Sequence, residues 1–146
     1  MNIFYLDKDP CRAAELQYNK HVVKMILESA QMLCAAHHYY GNEDVPYKST
    51  HLNHPSTVWA RENHYQYQWL YWHMIALGDE YKKRYNKEHL SITKCKECLS
   101  FSPYGISLGK FNQPPQCMPD EYKDKCSVKA YWNYYIGDKS HIAGKK

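Results

Sequence analysis

His21, Lys24, Glu28 and Gln31 fall at offsets of 0, 3, 7 and 10 along one segment of the chain. At 100° per residue they share an arc of about 80° on one side of a helix. The rest of the segment, from Val22 to Ala36, is almost wholly apolar. A surface helix normally carries an apolar stripe on a polar cylinder, and this segment inverts that pattern. Burying an imidazole, an ammonium, a carboxylate and an amide is costly unless they pair or face a wet cleft. The segment is therefore a candidate wall of a functional site. Gln17 joins the same arc if the helix is straight. Lys24 and Glu28, four residues apart, suit a structural salt bridge. They equally suit a reactive pair, because a desolvated lysine loses its proton and turns nucleophilic while a carboxylate exchanges protons beside it.

Two further clusters have chemical character. Asn53-His54-Pro55 leads into Trp59, Arg61, Glu62, Asn63 and His64. An imidazole before a helix start, with backbone amides and a guanidinium in the next turns, suits a phosphate, and it suits a capping turn as well. Tyr131-Trp132-Asn133-Tyr134-Tyr135, with Lys129 and Lys139 nearby, combines aromatic faces with cations. That composition fits base stacking, or a terminal helix docking on the core. The nine histidines are dispersed with no paired spacing on one helix. Neither a phosphate-binding glycine loop nor a nucleophile elbow is found, so neither a catalytic metal nor a cofactor is expected.

The elements that would position these groups read as follows. Asn2–Leu6 is a short apolar run, a strand or an extended segment tucked against the core. Asp9-Pro10 starts a helix running to about His38, with a kink near Asn19 and a stop at Gly41-Asn42. A loop follows, and Pro55 begins a second long helix to about Lys87 with a broad stripe of Trp, Tyr and Leu. A short helix over Ser91–Leu99, an irregular Pro/Gly-rich stretch from Ser102 to Asp120, and a last helix over Val128–Ile136 complete the chain. The predicted fold is mainly α: a compact single domain built on two long packed helices.

At 146 residues the chain is long enough for one domain with its own core. The formal charge of +4 permits a phosphate-bearing partner without demanding one. Fifteen Tyr and four Trp favour base stacking or binding clefts, with core filling as the plainer use. Met1–Asp9 has no apolar run resembling a signal peptide, and Val22–Ala36 is too short and too charged to span a bilayer. A soluble, cytoplasmic protein with no membrane partner is expected. Cys95, Cys98, Cys117 and Cys126 are spaced for a possible zinc site, although the second pair lacks knuckle spacing and ordinary thiols are favoured.

Asn53-His54-Pro55 entering the second helix, and the Tyr-rich basic segment Trp132–Lys139, together resemble the small pyrimidine-dimer DNA glycosylases of the endonuclease V type. The resemblance implies a mainly helical single domain that acts on DNA. In that family an α-amine attacks the sugar C1′, a Schiff base forms, and a glutamate of the first long helix supports glycosyl cleavage and strand scission. Carried onto this chain, it implies Lys24 or the Met1 α-amine as nucleophile, Glu28 as acid/base, and His21 and His54 as proton-transfer or phosphate groups. Arg61 and Gln31 would hold the nucleic acid, with stacking from Trp59, Tyr131, Trp132 and Tyr135. The partner is then DNA or a nucleotide. Two other readings use the same residues: a non-catalytic nucleotide or nucleic-acid binder, and an interaction protein whose polar stripe is an ion-pair network.

Overall fold

In the computed structural model, which describes residues 2–141, Asp9 caps the first helix as its place before Pro10 predicts. Its carboxylate accepts from the Cys11 amide at 2.9 Å. The expected long helix is then broken instead of kinked. Helix α1 ends at Glu15 (Pro10–Glu15), and α2 (Asn19–Tyr39) begins after a three-residue interruption. Carbonyls at a helix end have no intrahelical partner, so a break of this kind needs outside donors. Arg84 supplies them. Its guanidinium donates to the carbonyls of Glu15 (3.0 Å) and Gln17 (2.8 Å) and to Asn19 Oδ1 (3.0 Å). Glu80, one turn earlier, neutralises it at 2.9 Å.

The second predicted helix is also two. Helices α3 (Pro55–Glu62) and α4 (His64–Tyr85) are separated by Asn63, whose backbone is fully extended. Asn63 then caps α4 by accepting from the Gln66 amide at 3.0 Å, and donates to the Lys110 carbonyl at 2.8 Å. A Cβ at Gly109 would lie 2.6 Å from the Asn63 side chain, so a glycine at φ +59° is what lets the loop come this close. The remaining helices are α5 (Leu90–Cys95) and α6 (Ser127–Tyr134), with a 3₁₀ turn at Asp120–Tyr122 and a π turn at Tyr135–Lys139.

Among the described residues every regular element is helical, in agreement with a mainly α domain carrying an irregular Pro/Gly-rich C-terminal region. Helix α2 packs chiefly on α4, with α1 against α4 and α3 against α2. Ile26, Leu33, Leu70, Met74 and Leu77 are wholly buried between them. Ile3, Phe4, Tyr5 and Leu6 are buried too, and form an extended core segment, not a strand. Asn2 Oδ1 accepts from the amides of Ile3 and Phe4, and Phe4 takes a left-handed φ of 53° that turns the segment inward. Among the described residues no helix is long and apolar enough to cross a membrane.

Helices α4 and α5 meet at Gly78, where a Cβ would lie 2.6 Å from Ile92 Cγ1. Gly78→Ala is therefore expected to lower stability by about 1 kcal/mol in urea unfolding, because overpacking outweighs the gain in helix propensity. Ile92→Val should cost less in the Gly78→Ala background than in the wild type.

Candidate functional site

A cleft of about 460 Å³ opens along α2, lined by Val23, Lys24, Leu27, Glu28 and Gln31 together with His51 and His89. Three of the four stripe residues are thus brought together, and two imidazoles come from elsewhere in the chain. Lys24 Nζ lies 3.7 Å from Glu28 Oε2, with the lysine side chain 69% exposed and the glutamate only 13%. Val23 and Leu27 are large apolar side chains left open to solvent. The cleft therefore has apolar walls, one shielded carboxylate and an ammonium at its rim. The Gln31 amide borders the cleft.

His54 and His89 are held by the same device. Each is the N-cap of its helix, and each accepts through Nδ1 from the amide of the serine two residues on, at 3.1 Å in both cases. An accepting Nδ1 fixes the neutral ring as the Nε2–H tautomer. Burial pushes both imidazoles below the ordinary histidine range. The negative charge of Glu28 opposes that shift at His54, which places the carboxylate within electrostatic reach of the Asn53-His54-Pro55 turn. His89 and Val23 both line the cleft, which places the start of α5 at its wall. The repeated His-x-Ser spacing at 54–56 and 89–91 is the sequence signal that could have identified His89 as a helix start. His51, in the loop before α3 at φ 51°, has no comparable signal.

Several expected site residues are placed otherwise. His21 is stacked on Phe4 with ring centroids 4.3 Å apart, and its Nδ1 lies 2.6 Å from the Tyr135 hydroxyl. Phe4 and Tyr135 cover the first turn of α2, so the stripe is divided: His21 points into the core, Lys24, Glu28 and Gln31 into the cleft. Burial, and then the charges of Lys139, Lys24 and Lys20, lower the His21 pKa to about 4. It is neutral at physiological pH and not a phosphate-binding cation. Lys24 is too exposed for burial to supply the desolvation its nucleophile role invoked. Arg61 lies over the Tyr39 ring at 4.2 Å and donates to the Leu52 carbonyl, fastening the loop before α3 instead of facing the cleft. Trp59 is buried and donates to the Asn112 carbonyl at 2.9 Å. Tyr131 and Tyr135 are fully buried, and Trp132 donates to the Leu6 carbonyl at 2.8 Å. Tyr131 and Tyr135 are committed to the core, while Trp59 and the partly buried Trp132 are each held by an indole hydrogen bond away from the α2 cleft. Met1 lies outside the described residues. The four zinc-candidate thiols are not assembled: among the described residues no group of three or more such ligands comes together, and Cys117 sits 3.5 Å from Ser56 Oγ.

A scan of protein-family models, a search of curated proteins and a search of solved structures each found no match for the chain.

The buried imidazoles have a consequence in acid. His73 is wholly enclosed between Pro10, whose carbonyl lies 2.9 Å from Nδ1, and Gln17, whose amide lies 3.1 Å from Nε2. Burial lowers its pKa to about 4, as it does that of His21. Their folded values lie below the unfolded value, so the unfolded chain binds more protons in this range and stability falls with falling pH. The loss is expected to begin near pH 6.5 and to grow towards pH 4, by roughly 3 kcal/mol at His73. Urea midpoints across that window measure it; a flat profile from pH 7 to 4.5 would contradict it. His73→Gln should flatten the curve.

Proposed function

We propose that the chain is a DNA-acting protein of the glycosylase/lyase kind, which takes a base or damaged nucleotide into the α2 cleft. The observation that supports this most is the cleft itself, where apolar walls surround an amine, a shielded carboxylate and an amide, with imidazoles at its edge. Val23 and Leu27 offer a surface for a flat ring, and Gln31 can pair with a base edge through both its donor and its acceptor. In the reaction this arrangement suits, the Lys24 amine attacks C1′ and the glycosidic C–N bond breaks with its electron pair leaving on the base. The sugar opens to an imine, and loss of the C2′ proton then expels the 3′-phosphate. Glu28 exchanges the protons of these steps. A bound ring that expels water from between Val23 and Leu27 brings the Lys24 amine into drier surroundings next to the reacting carbon.

One observation favours a second reading, a non-catalytic nucleotide or nucleic-acid binder. The exposed Lys24 is paired with Glu28 at 3.7 Å, an arrangement that suits gripping a ligand as well as attacking one.

Borohydride trapping on abasic and dimer-containing duplexes separates the two. The glycosylase/lyase reading expects a covalent adduct that maps to Lys24 and is lost in Lys24→Ala. It also expects Glu28→Gln to slow strand cleavage by about 10²–10⁴-fold. Because Lys24 is exposed, its removal should change stability by less than about 1 kcal/mol, so a lost adduct reports chemistry and not folding. Binding that weakens in Gln31→Ala, with no adduct formed, supports the binder. An adduct on the Met1 α-amine would move the nucleophile there. Neither adduct nor binding would leave the Lys24–Glu28 pair as a structural network and overturn both readings.

A further inference from the structure

Three of the six thiols meet where α5 packs on α2, away from the residues that line the cleft. Cys34 of α2 and Cys95, the last residue of α5, are fully buried, and their thiols are close enough to influence each other electrostatically. Cys98 follows one turn later and is exposed. Its Sγ turns back along the helix axis, 3.5 Å from the Lys94 carbonyl and 3.7 Å from that of Cys95. The Leu99 amide donates to the Cys95 carbonyl at 3.0 Å, so this stretch keeps helical spacing. Cα atoms three residues apart in a helical turn are about 5 Å apart, within the roughly 4.4–6.8 Å that disulfides span. The arrangement thus pairs one thiol that solvent oxidants reach with a second that they do not. Cys11, also exposed, has the carboxylates of Asp9, Glu15 and Asp79 around it instead.

We propose that Cys95 and Cys98 are a redox-active dithiol, in which a hydroperoxide oxidises Cys98 and Cys95 resolves it as a disulfide. The Cys98 thiolate attacks one peroxide oxygen; the O–O bond breaks, releasing an alcohol or water and leaving a sulfenic acid. The Cys95 sulfur then attacks the Cys98 sulfur, an S–S bond forms, and the sulfenic oxygen departs as water with the Cys95 proton. Two thiols are oxidised by two electrons and one hydroperoxide is reduced. The closed disulfide takes Cys95 away from Cys34, its partner across the α2–α5 seam. The same short helix begins at His89 on the cleft wall, so the dithiol sits at the other end of an element that shapes the cleft. Burial raises the Cys98 thiol above its ordinary range, so oxidation should accelerate from pH 7 to 9 as thiolate forms.

The test exposes the full chain to hydrogen peroxide, blocks residual thiols by alkylation and maps the peptides by mass spectrometry. The expected product carries Cys95 and Cys98 unalkylated, lighter by two hydrogen atoms and restored by dithiothreitol, while Cys11 advances to sulfinic acid. Cys95→Ser should drive Cys98 to sulfinic acid as Cys11 is driven. Should that core variant fail to fold, the surface variant Cys98→Ser serves, and is expected to leave Cys95 reduced and unlinked. Sulfinic acid on wild-type Cys98 at the Cys11 rate would overturn the proposal. So would a bridge to any other cysteine, or an untouched Cys98 in a chain whose Cys11 is oxidised.

Discussion

The fold depends on one guanidinium. Arg84 makes four hydrogen bonds, to Glu15, Gln17, Asn19 and Glu80, and its Nη2 also lies 2.9 Å from the Glu80 carboxylate. Both side chains of the pair are nearly buried, where removing either partner would leave an uncompensated charge. The pair makes the interruption between α1 and α2 affordable by satisfying carbonyls that a continuous helix would have satisfied itself. The interruption also resets the helical phase. Gln17, which in a straight helix would share the arc of Lys24 and Glu28, is instead buried against His73. Polar side chains that the sequence puts in one stripe are divided between core and cleft at this point.

The aromatic residues serve the same need for donors in irregular backbone. Trp69 donates to the Lys8 carbonyl, Trp132 to Leu6, and Trp59 to Asn112. The hydroxyls of Tyr67, Tyr71 and Tyr131 reach the carbonyls of Leu99, Lys96 and Pro115. Each acceptor lies outside regular helix, in the N-terminal segment or in the stretch between α5 and α6. A phenol or an indole buries a large apolar face and still delivers a hydrogen bond at its tip, so it can pin a loop to a helical core without leaving a polar group unpaired. This explains the tyrosine and tryptophan content better than base stacking does.

The positions that were legible in the sequence are those set by local chemistry. Asp9-Pro10 marks a helix start because a carboxylate and a ring with no N–H both suit the first turn. Gly41, at φ 89°, marks the end of α2 for the converse reason. The two breaks were not legible. Each is stabilised by a residue distant in sequence: Arg84 for the first, and the Lys110–Asn112 loop, through Asn63 and Gln66, for the second. The site was half legible for the same reason. Lys24, Glu28 and Gln31 follow from helical period alone, whereas His51 and His89 arrive by tertiary packing. His21 had the correct period and the wrong surroundings, because periodicity cannot foresee that Phe4 and Tyr135 cover the first turn of α2.

What distinguishes the cleft electrostatically is the position of Glu28 between two groups of different character. Beside it is an ammonium largely in water; behind the cleft lining, within electrostatic reach, is the His54 imidazole, whose Nδ1 is already occupied. In the open cleft, solvent screens both interactions. An occupant that excludes water lowers the local dielectric, and the interaction of the carboxylate with the Lys24 ammonium strengthens. The apolar character of Val23 and Leu27 is what allows this, because polar walls would keep their own hydration when a ring enters. The cleft therefore gains electrostatic strength when it is filled, and that property serves a proton-exchanging carboxylate as well as it serves simple recognition.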